Sequence, residues 1–208
     1  MEGKMEKIAS GRPFFGGIAS GQIKIVRTED DSRNVSSDDI VVATDLPPSW
    51  AANVRKAAAI GLVGIEANHA VGYFREIWKP GLLFEHLPRI SEGLVVTFDC
   101  NQGVVLAGER EPDPLKIHPL PDDLEKKVYL QLGIPWMAKK AASLGAAGVS
   151  LFRSNLMIQE LGVHPLSFIE TGQENRLESQ LADGICEIAA SFPVSLSGCE
   201  QWILIHAN

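Results

Sequence analysis

The rhythm of apolar and polar positions changes several times along the chain, and each rhythm predicts an element. Gln22 to Arg27 alternates, with Ile23 and Ile25 on one face, and reads as a strand. Ile40-Val41-Val42-Ala43 is a β-branched run and reads as a buried strand. Asp45-Leu46-Pro47-Pro48-Ser49-Trp50 predicts a turn and a helix start, with Ser49 as N-cap and the helix running through Ala51 to Ala58. Ile60 to Gly64 predicts the next strand, His69 to Glu76 a helix ending near Lys79-Pro80-Gly81, and Leu82 to Phe84 a further strand. Gly93 to Asp99 and Gly103 to Leu106 read as a hairpin around Cys100-Asn101-Gln102. Residues 1–12 are polar and read as a tail or linker, and Thr28 to Ser37, charged and polar, reads as a loop.

Strands and helices therefore mix over residues 13–108, the signature of a small α/β or β/β/α layered domain. Residues 109–126, rich in proline and charge, read as a linker. Over 127–193 the pattern becomes β-α-β-α, the opening of a parallel α/β fold. Val128 to Leu132 and Gly148 to Phe152 are its strands and Met137 to Leu144 its first helix. Glu174 to Ser191 is its amphipathic helix, with a stripe of Leu177, Leu181, Ile185 and Ile188. A complete eight-stranded barrel needs about 250 residues, so these four elements cannot close one. Residues 194–208 match no further unit and stay unassigned.

Composition narrows the function classes. Of the 208 residues 45% are hydrophobic and 22% charged, as in soluble globular proteins with a buried core. The net charge of −7 and the lack of a Lys/Arg-rich run argue against nucleic acid as a partner. Cys100, Cys186 and Cys199 form no CxxC pair, which argues against a disulfide framework or a zinc site. There is no signal-peptide apolar region and no apolar run of membrane-spanning length, so no membrane partner and a cytoplasmic location are expected. Asp38-Asp39 and Asp122-Asp123 read as caps and turns rather than metal ligands, Trp50 and Trp136 as packing residues, and His164, ahead of Pro165, as a structural turn residue.

One series of short motifs carries chemistry. It begins with Gly17-Ile18-Ala19-Ser20-Gly21, Asp39-Ile40-Val41-Val42, Pro48-Ser49-Trp50 and Ala57-Ala58-Ala59-Ile60. His69-Ala70 follows, then Arg75-Glu76, Pro80, Val96-Thr97-Phe98-Asp99 and Gly103-Val104-Val105. Further on come Arg153-Ser154-Asn155-Leu156, Gly162-Val163-His164-Pro165-Leu166 and Ala190-Ser191-Phe192-Pro193. In order and spacing, over residues 13–193, the series resembles the phosphoenolpyruvate-utilising enzymes of the phosphoenolpyruvate synthase type. The matching parts are their swivelling phosphohistidine domain and the start of their PEP/pyruvate-binding barrel. The sequence departs from the family where G-G-x-T-S-H becomes Gly64-Ile65-Glu66-Ala67-Asn68-His69, and where Asn155 stands for the acidic residue after the barrel arginine.

The resemblance implies a phosphotransferase component in which His69 is the catalytic phosphoryl carrier and Gly64 and Asn68 belong to its phosphoryl loop. Imidazole suits the task, since one neutral nitrogen attacks phosphorus while a hydrogen bond holds the other. By the same resemblance Arg153 binds PEP or pyruvate. Mg2+ serves with ligands outside this chain, and ATP acts only through a nucleotide-binding domain, expected on a separate ATP-grasp polypeptide. The alternative is a truncated or degenerate relative without turnover, acting as an interaction or regulatory module. The half barrel's open strand edges and apolar faces imply self-association.

Overall fold

The computed structural model describes residues 5–64 and 68–192, with Asn68 and His69 described as backbone only. The loop residues Ile65, Glu66 and Ala67 and the unassigned tail 194–208 lie outside the described residues. The chain divides into two compact units: Met1–Lys116 with Gln159–Gly162, and Ile117–Ile158 with Val163–Asn208. It is a mixed α/β protein.

The first unit contains β1 (Lys7–Ser10), β2 (Arg12–Phe15), β3 (Gly17–Val26), α1 (Glu29–Arg33), β4 (Asp39–Ala43) and α2 (Pro48–Val54). After these come β5 (Ala59–Val63), α3 (Asn68–Glu76), β6 (Gly81–Phe84), β7 (Val95–Asp99), β8 (Val104–Ala107) and β9 (Asp113–Pro114). One sheet runs in the order β1-β8-β7-β3-β4-β5-β6-β2, with β9 pairing β3 off this path. Its middle, β3-β4-β5-β6, is parallel. That arrangement suits the apolar runs of β4 and β5, whose side chains are buried on both faces. The pairs β3-β7 and β7-β8 are antiparallel.

β1 and β2 stand at opposite ends of this order, yet only Gly11 separates them in sequence. The sheet must therefore curl until its two edges meet at Gly11. There the Gly11 N–H donates to the Gly103 carbonyl at 3.0 Å. A Cβ on Gly11 would lie 2.9 Å from the Leu83 carbonyl oxygen, so the close approach requires glycine. Inside the curl, Ile23, Ile40, Ala59, Leu82, Val96 and Phe98 form the core. Phe84 and Phe98 meet edge to face at 6.0 Å.

Several expectations are corrected here. The polar stretch 1–12 is no mere tail, because β1 and the start of β2 close the sheet edges against β8 and β6. The loop expected over Thr28 to Ser37 holds α1. Thr28 caps it by accepting from the Asp31 N–H at 3.2 Å, while Asp31 Oδ2 accepts from the Thr28 N–H at 2.9 Å, a capping box. Helix α2 takes Pro47 as N-cap with no side-chain cap bond, so Ser49 lies inside the helix instead of capping it. The proline-rich stretch after residue 108 contributes β9 to the sheet.

The second unit contains β10 (Tyr129–Leu132), a 3-10 turn at Pro135–Met137, α4 (Ala138–Ala142), β11 (Gly148–Phe152), α5 (Ser154–Glu160) except its last two residues, α6 (Pro165–Glu170) and α7 (Glu174–Ser191). β10 and β11 are parallel, with a bulge between Leu130 and Gln131. The helix expected from Met137 to Leu144 is present as α4 and shorter, because Met137 still belongs to the 3-10 turn that Pro135 opens. The stripe expected on α7 is incomplete: Ile188 is buried, but Ile185 is 48% exposed. Among the described residues no helix is long and apolar enough to cross a membrane.

Candidate functional site

The neighbouring strands β3, β4, β5 and β6 of the first unit run parallel, so their carboxyl ends lie along one side of the sheet. β5 runs into Gly64, whose N–H donates to the Phe84 carbonyl at 2.8 Å and extends the β5–β6 ladder by one bond. Gly64 then turns with φ +97°, and a Cβ there would meet nothing within 4 Å. The backbone twist, not crowding, is what calls for glycine.

After the loop, α3 begins at Asn68, with His69 as its second residue. Asn68 is thus inside the first turn. The first N–H groups of any helix lack intrahelical acceptors and carry the positive end of its dipole, so a histidine in that turn stands where phosphoryl oxygens are favoured.

The rest of α3 is fixed firmly. Tyr73 and Phe74 are fully buried and meet edge to face at 5.2 Å. Arg75 Nε donates to the Phe14 carbonyl at 2.9 Å, tying the helix to β2. Trp78 adopts φ 57° just past the helix end, and the Lys79 N–H returns to the Phe74 carbonyl at 2.9 Å. Lys79 Nζ reaches the Ala57 carbonyl at 2.6 Å, and burial holds its pKa below the usual lysine value.

Glu160 completes this seat. It lies in the stretch Gln159–Gly162, which belongs to the first unit although the residues on either side belong to the second. Its carboxylate accepts from the Tyr73 hydroxyl and from Arg55 Nη1. Burial, and then the Glu160 charge, push the Tyr73 pKa far above the ordinary phenol value, so the hydroxyl stays a donor. For Arg55, burial works against the charged form, but Glu160 and Tyr73 outweigh it and its pKa is raised. No sequence signal pointed to this group, whose members are 87 and 105 residues apart.

Arg153 is in the second unit, directly after β11. Its N–H donates to the Leu132 carbonyl at 3.0 Å, and its own carbonyl accepts from the Leu156 N–H at 3.0 Å at the start of α5. A Cβ on Gly133 would fall 2.2 Å from the Arg153 oxygen, so that glycine lets the ends of the two strands meet. The arginine is thereby held at the carboxyl end of a parallel pair, its side chain half-buried. His164 caps α6, its Nδ1 accepting from the Leu166 N–H at 3.2 Å. Of the sequence-derived site residues, Gly64, Asn68 and His69 thus share one strand-loop-helix of the first unit, and Arg153 stands in the second. Among the described residues, no group of three or more His, Cys, Asp or Glu side chains could hold a metal ion.

No family model matches the chain. It is similar to the phosphoenolpyruvate synthase of Pyrococcus furiosus, with 30% identity over 90% of this chain and 25% of that protein. It is also similar to the probable phosphoenolpyruvate synthase of Methanothermobacter thermautotrophicus, with 32% identity over 85% of this chain and 27% of that protein. A probable phosphoenolpyruvate synthase of Methanocaldococcus jannaschii is 31% identical over half of the chain. The chain spans about a quarter of the length of the first two. Among solved structures, it is similar to Thermococcus kodakaraensis aconitase X, with 18% identity and TM-score 0.35 over 48% of this chain and 97% of that one. It is likewise similar to a UPF0107 protein, with 16% identity and TM-score 0.38 over 49% of this chain and 98% of that one.

Proposed function

The chain is a phosphoenolpyruvate synthase-like segment, and from that premise we propose that it is a phosphotransferase component that carries a phosphoryl group on His69. The observation that carries this reading is the place of position 69: the first turn of a helix that follows a left-handed glycine at the carboxyl end of parallel strands. In the reaction, a neutral imidazole nitrogen attacks the phosphorus of phosphoenolpyruvate. The P–N bond forms as the bridging P–O bond breaks, and the enolate takes up a proton to leave pyruvate. The N–H groups of the first turn of α3 stabilise the charge on the phosphoryl oxygens in flight.

In this reading the first unit is the swivelling domain of such enzymes and the second the beginning of their barrel. Arg153 would hold the carboxylate or phosphate of PEP by its planar fork of donors. ATP would enter through a separate ATP-grasp polypeptide. Mg2+, when bound, would neutralise phosphate charge. The described residues present no ligand set for it, so no step of this mechanism is routed through the metal. The second reading, a non-catalytic interaction module, draws support from the exposed apolar side chains of the second unit, Leu151, Leu166 and Ile169 among them.

The test is incubation of the purified protein with radiolabelled phosphoenolpyruvate and Mg2+, wild type beside His69→Ala. Acid-labile label in the wild type that the substitution abolishes is the expected result. Folded protein that stays unlabelled, also when ATP and the nucleotide-binding domain of a phosphoenolpyruvate synthase are supplied, would overturn the carrier reading in favour of the module.

A further inference from the structure

The helix that bears His69 is held by a partly buried charged cluster. Tyr73, four residues after His69 and so one turn further along α3, is fully buried, and its hydroxyl donates to Glu160. Arg55, the residue that closes α2, donates to the other oxygen of the same carboxylate. The Glu160 side chain is only 13% exposed, and that of Arg55 39%. Taking a carboxylate this far out of water is costly. Apolar side chains of the same size commonly give equal or better stability at such a place, because packing needs no exact alignment. What a charged cluster adds is geometry: a carboxylate serving two donors on two helices tolerates one arrangement of those helices and disfavours its neighbours.

We propose that Glu160 is a positioning residue for the chemistry at His69: through Tyr73 and Arg55 it fixes α3 against α2 in one register, so that the backbone of position 69 at the start of α3 is held in one place. The proposal rests on the reading of His69 as the phosphoryl carrier. It goes beyond that reading in assigning roles to Glu160, Tyr73 and Arg55. Phe74 and the Arg75–Phe14 bond hold the same helix from other sides, so losing the cluster loosens the helix without freeing it. A nucleophile misplaced by about an ångström costs up to ~100-fold in rate, so loosening of this kind is visible in kinetics.

The experiment compares wild type with Tyr73→Phe, Glu160→Gln and the double variant Tyr73→Phe/Glu160→Leu, which keeps an apolar seat in place of the charged one. Two readouts are taken on the full chain. The first is the NMR signal of the His69 ring, assigned by its loss in His69→Ala, together with amide exchange along α3. One sharp set of ring signals is expected in the wild type. Broadened or multiple sets, and lower protection in α3 with protection of β4 and β5 unchanged, are expected in the double variant, with Glu160→Gln in between. The second is the single-turnover rate of labelling from phosphoenolpyruvate, expected to fall about tenfold or more in the double variant at saturating substrate while the half-saturating concentration stays within about twofold. Ring signals and α3 exchange that match the wild type in every variant would overturn the proposal. So would a loosened α3 with an unchanged labelling rate, which leaves the cluster a structural role only. A wild type that takes no label, also when ATP and the nucleotide-binding domain of a phosphoenolpyruvate synthase are supplied, sinks the carrier reading of His69, and the ring signals and α3 exchange then decide by themselves whether Glu160 fixes the helix that bears it.

Discussion

Asp99 is 2% exposed, and its carboxylate does the turn-forming of the β7–β8 connection. Oδ1 accepts from the N–H groups of Asn101 at 3.1 Å and Gln102 at 3.0 Å, and Oδ2 lies 3.5 Å from Arg110 Nη1. Removing it leaves two backbone donors without their acceptor, so Asp99→Ala is expected to cost about 1–3 kcal/mol, read as a lower urea midpoint. The neighbouring Cys100 thiol has its pKa pushed up to about 12, by burial first and the Asp99 charge second. Above the ordinary value of 9.0, the unfolded chain releases this proton while the folded chain keeps it, so stability falls as pH rises towards about 12. Lys79, whose pKa burial lowers, acts in the opposite sense as pH rises towards its ordinary value of 10.5. A single comparison separates the two: between about pH 8 and about pH 11, Cys100→Ala should lose less stability than wild type in urea titrations. Equal slopes would show that the thiol is not buried as described.

At the scale of elements, sequence and structure agree where a segment is decided by its own pattern. β4 and β5 are apolar runs, α7 is a long helical repeat, and the β7–β8 hairpin has its turn residues in place, so all were legible. Elements decided by distant partners were not. β1 and β2 have mostly exposed or half-exposed side chains and exist because β8 and β6 offer free edges. β9 is two residues, one of them proline, against β3. The capping box of Thr28 was present in the sequence, but the acidic first turn of α1 disguised a five-residue helix as a solvated loop. Of the candidate site, His69, Gly64 and Arg153 were singled out through resemblance, whereas the Glu160 cluster links positions too far apart for any local signal. Packing at β6 gives the test that belongs here. A Cβ at Gly81 would lie 1.9 Å from the ring of Phe14 on the paired strand β2. Gly81→Ala should therefore destabilise by about 1–3 kcal/mol, and Phe14→Leu in the same chain should recover part of that loss. Additive losses in the double variant would place the strain elsewhere.

At the scale of the whole molecule, the two units are unequally supported. The first has a nine-stranded sheet wrapped around its core. In the second, among the described residues, β10 and β11 pair only with each other, and a two-stranded sheet is marginal by itself. Parallel strands are ordinarily covered on both faces. Gln131 pairs with Leu151 and so shares a face with it and with Tyr129, and that face is open: Tyr129 is 52% and Leu151 48% exposed. On α6, Leu166 and Ile169, one turn apart, are 55% and 54% exposed. Amides of β10 and β11 are accordingly expected to exchange at lower denaturant than those of β4 and β5. The open apolar surface also favours contacts between copies of the chain. Light scattering across a concentration series should thus show association in the wild type, reduced by Leu151→Lys together with Leu166→Lys, because each lysine carries its charge onto the surface that associates. A wild type that stays monomeric at every concentration would mean that those side chains are covered by something other than a second copy.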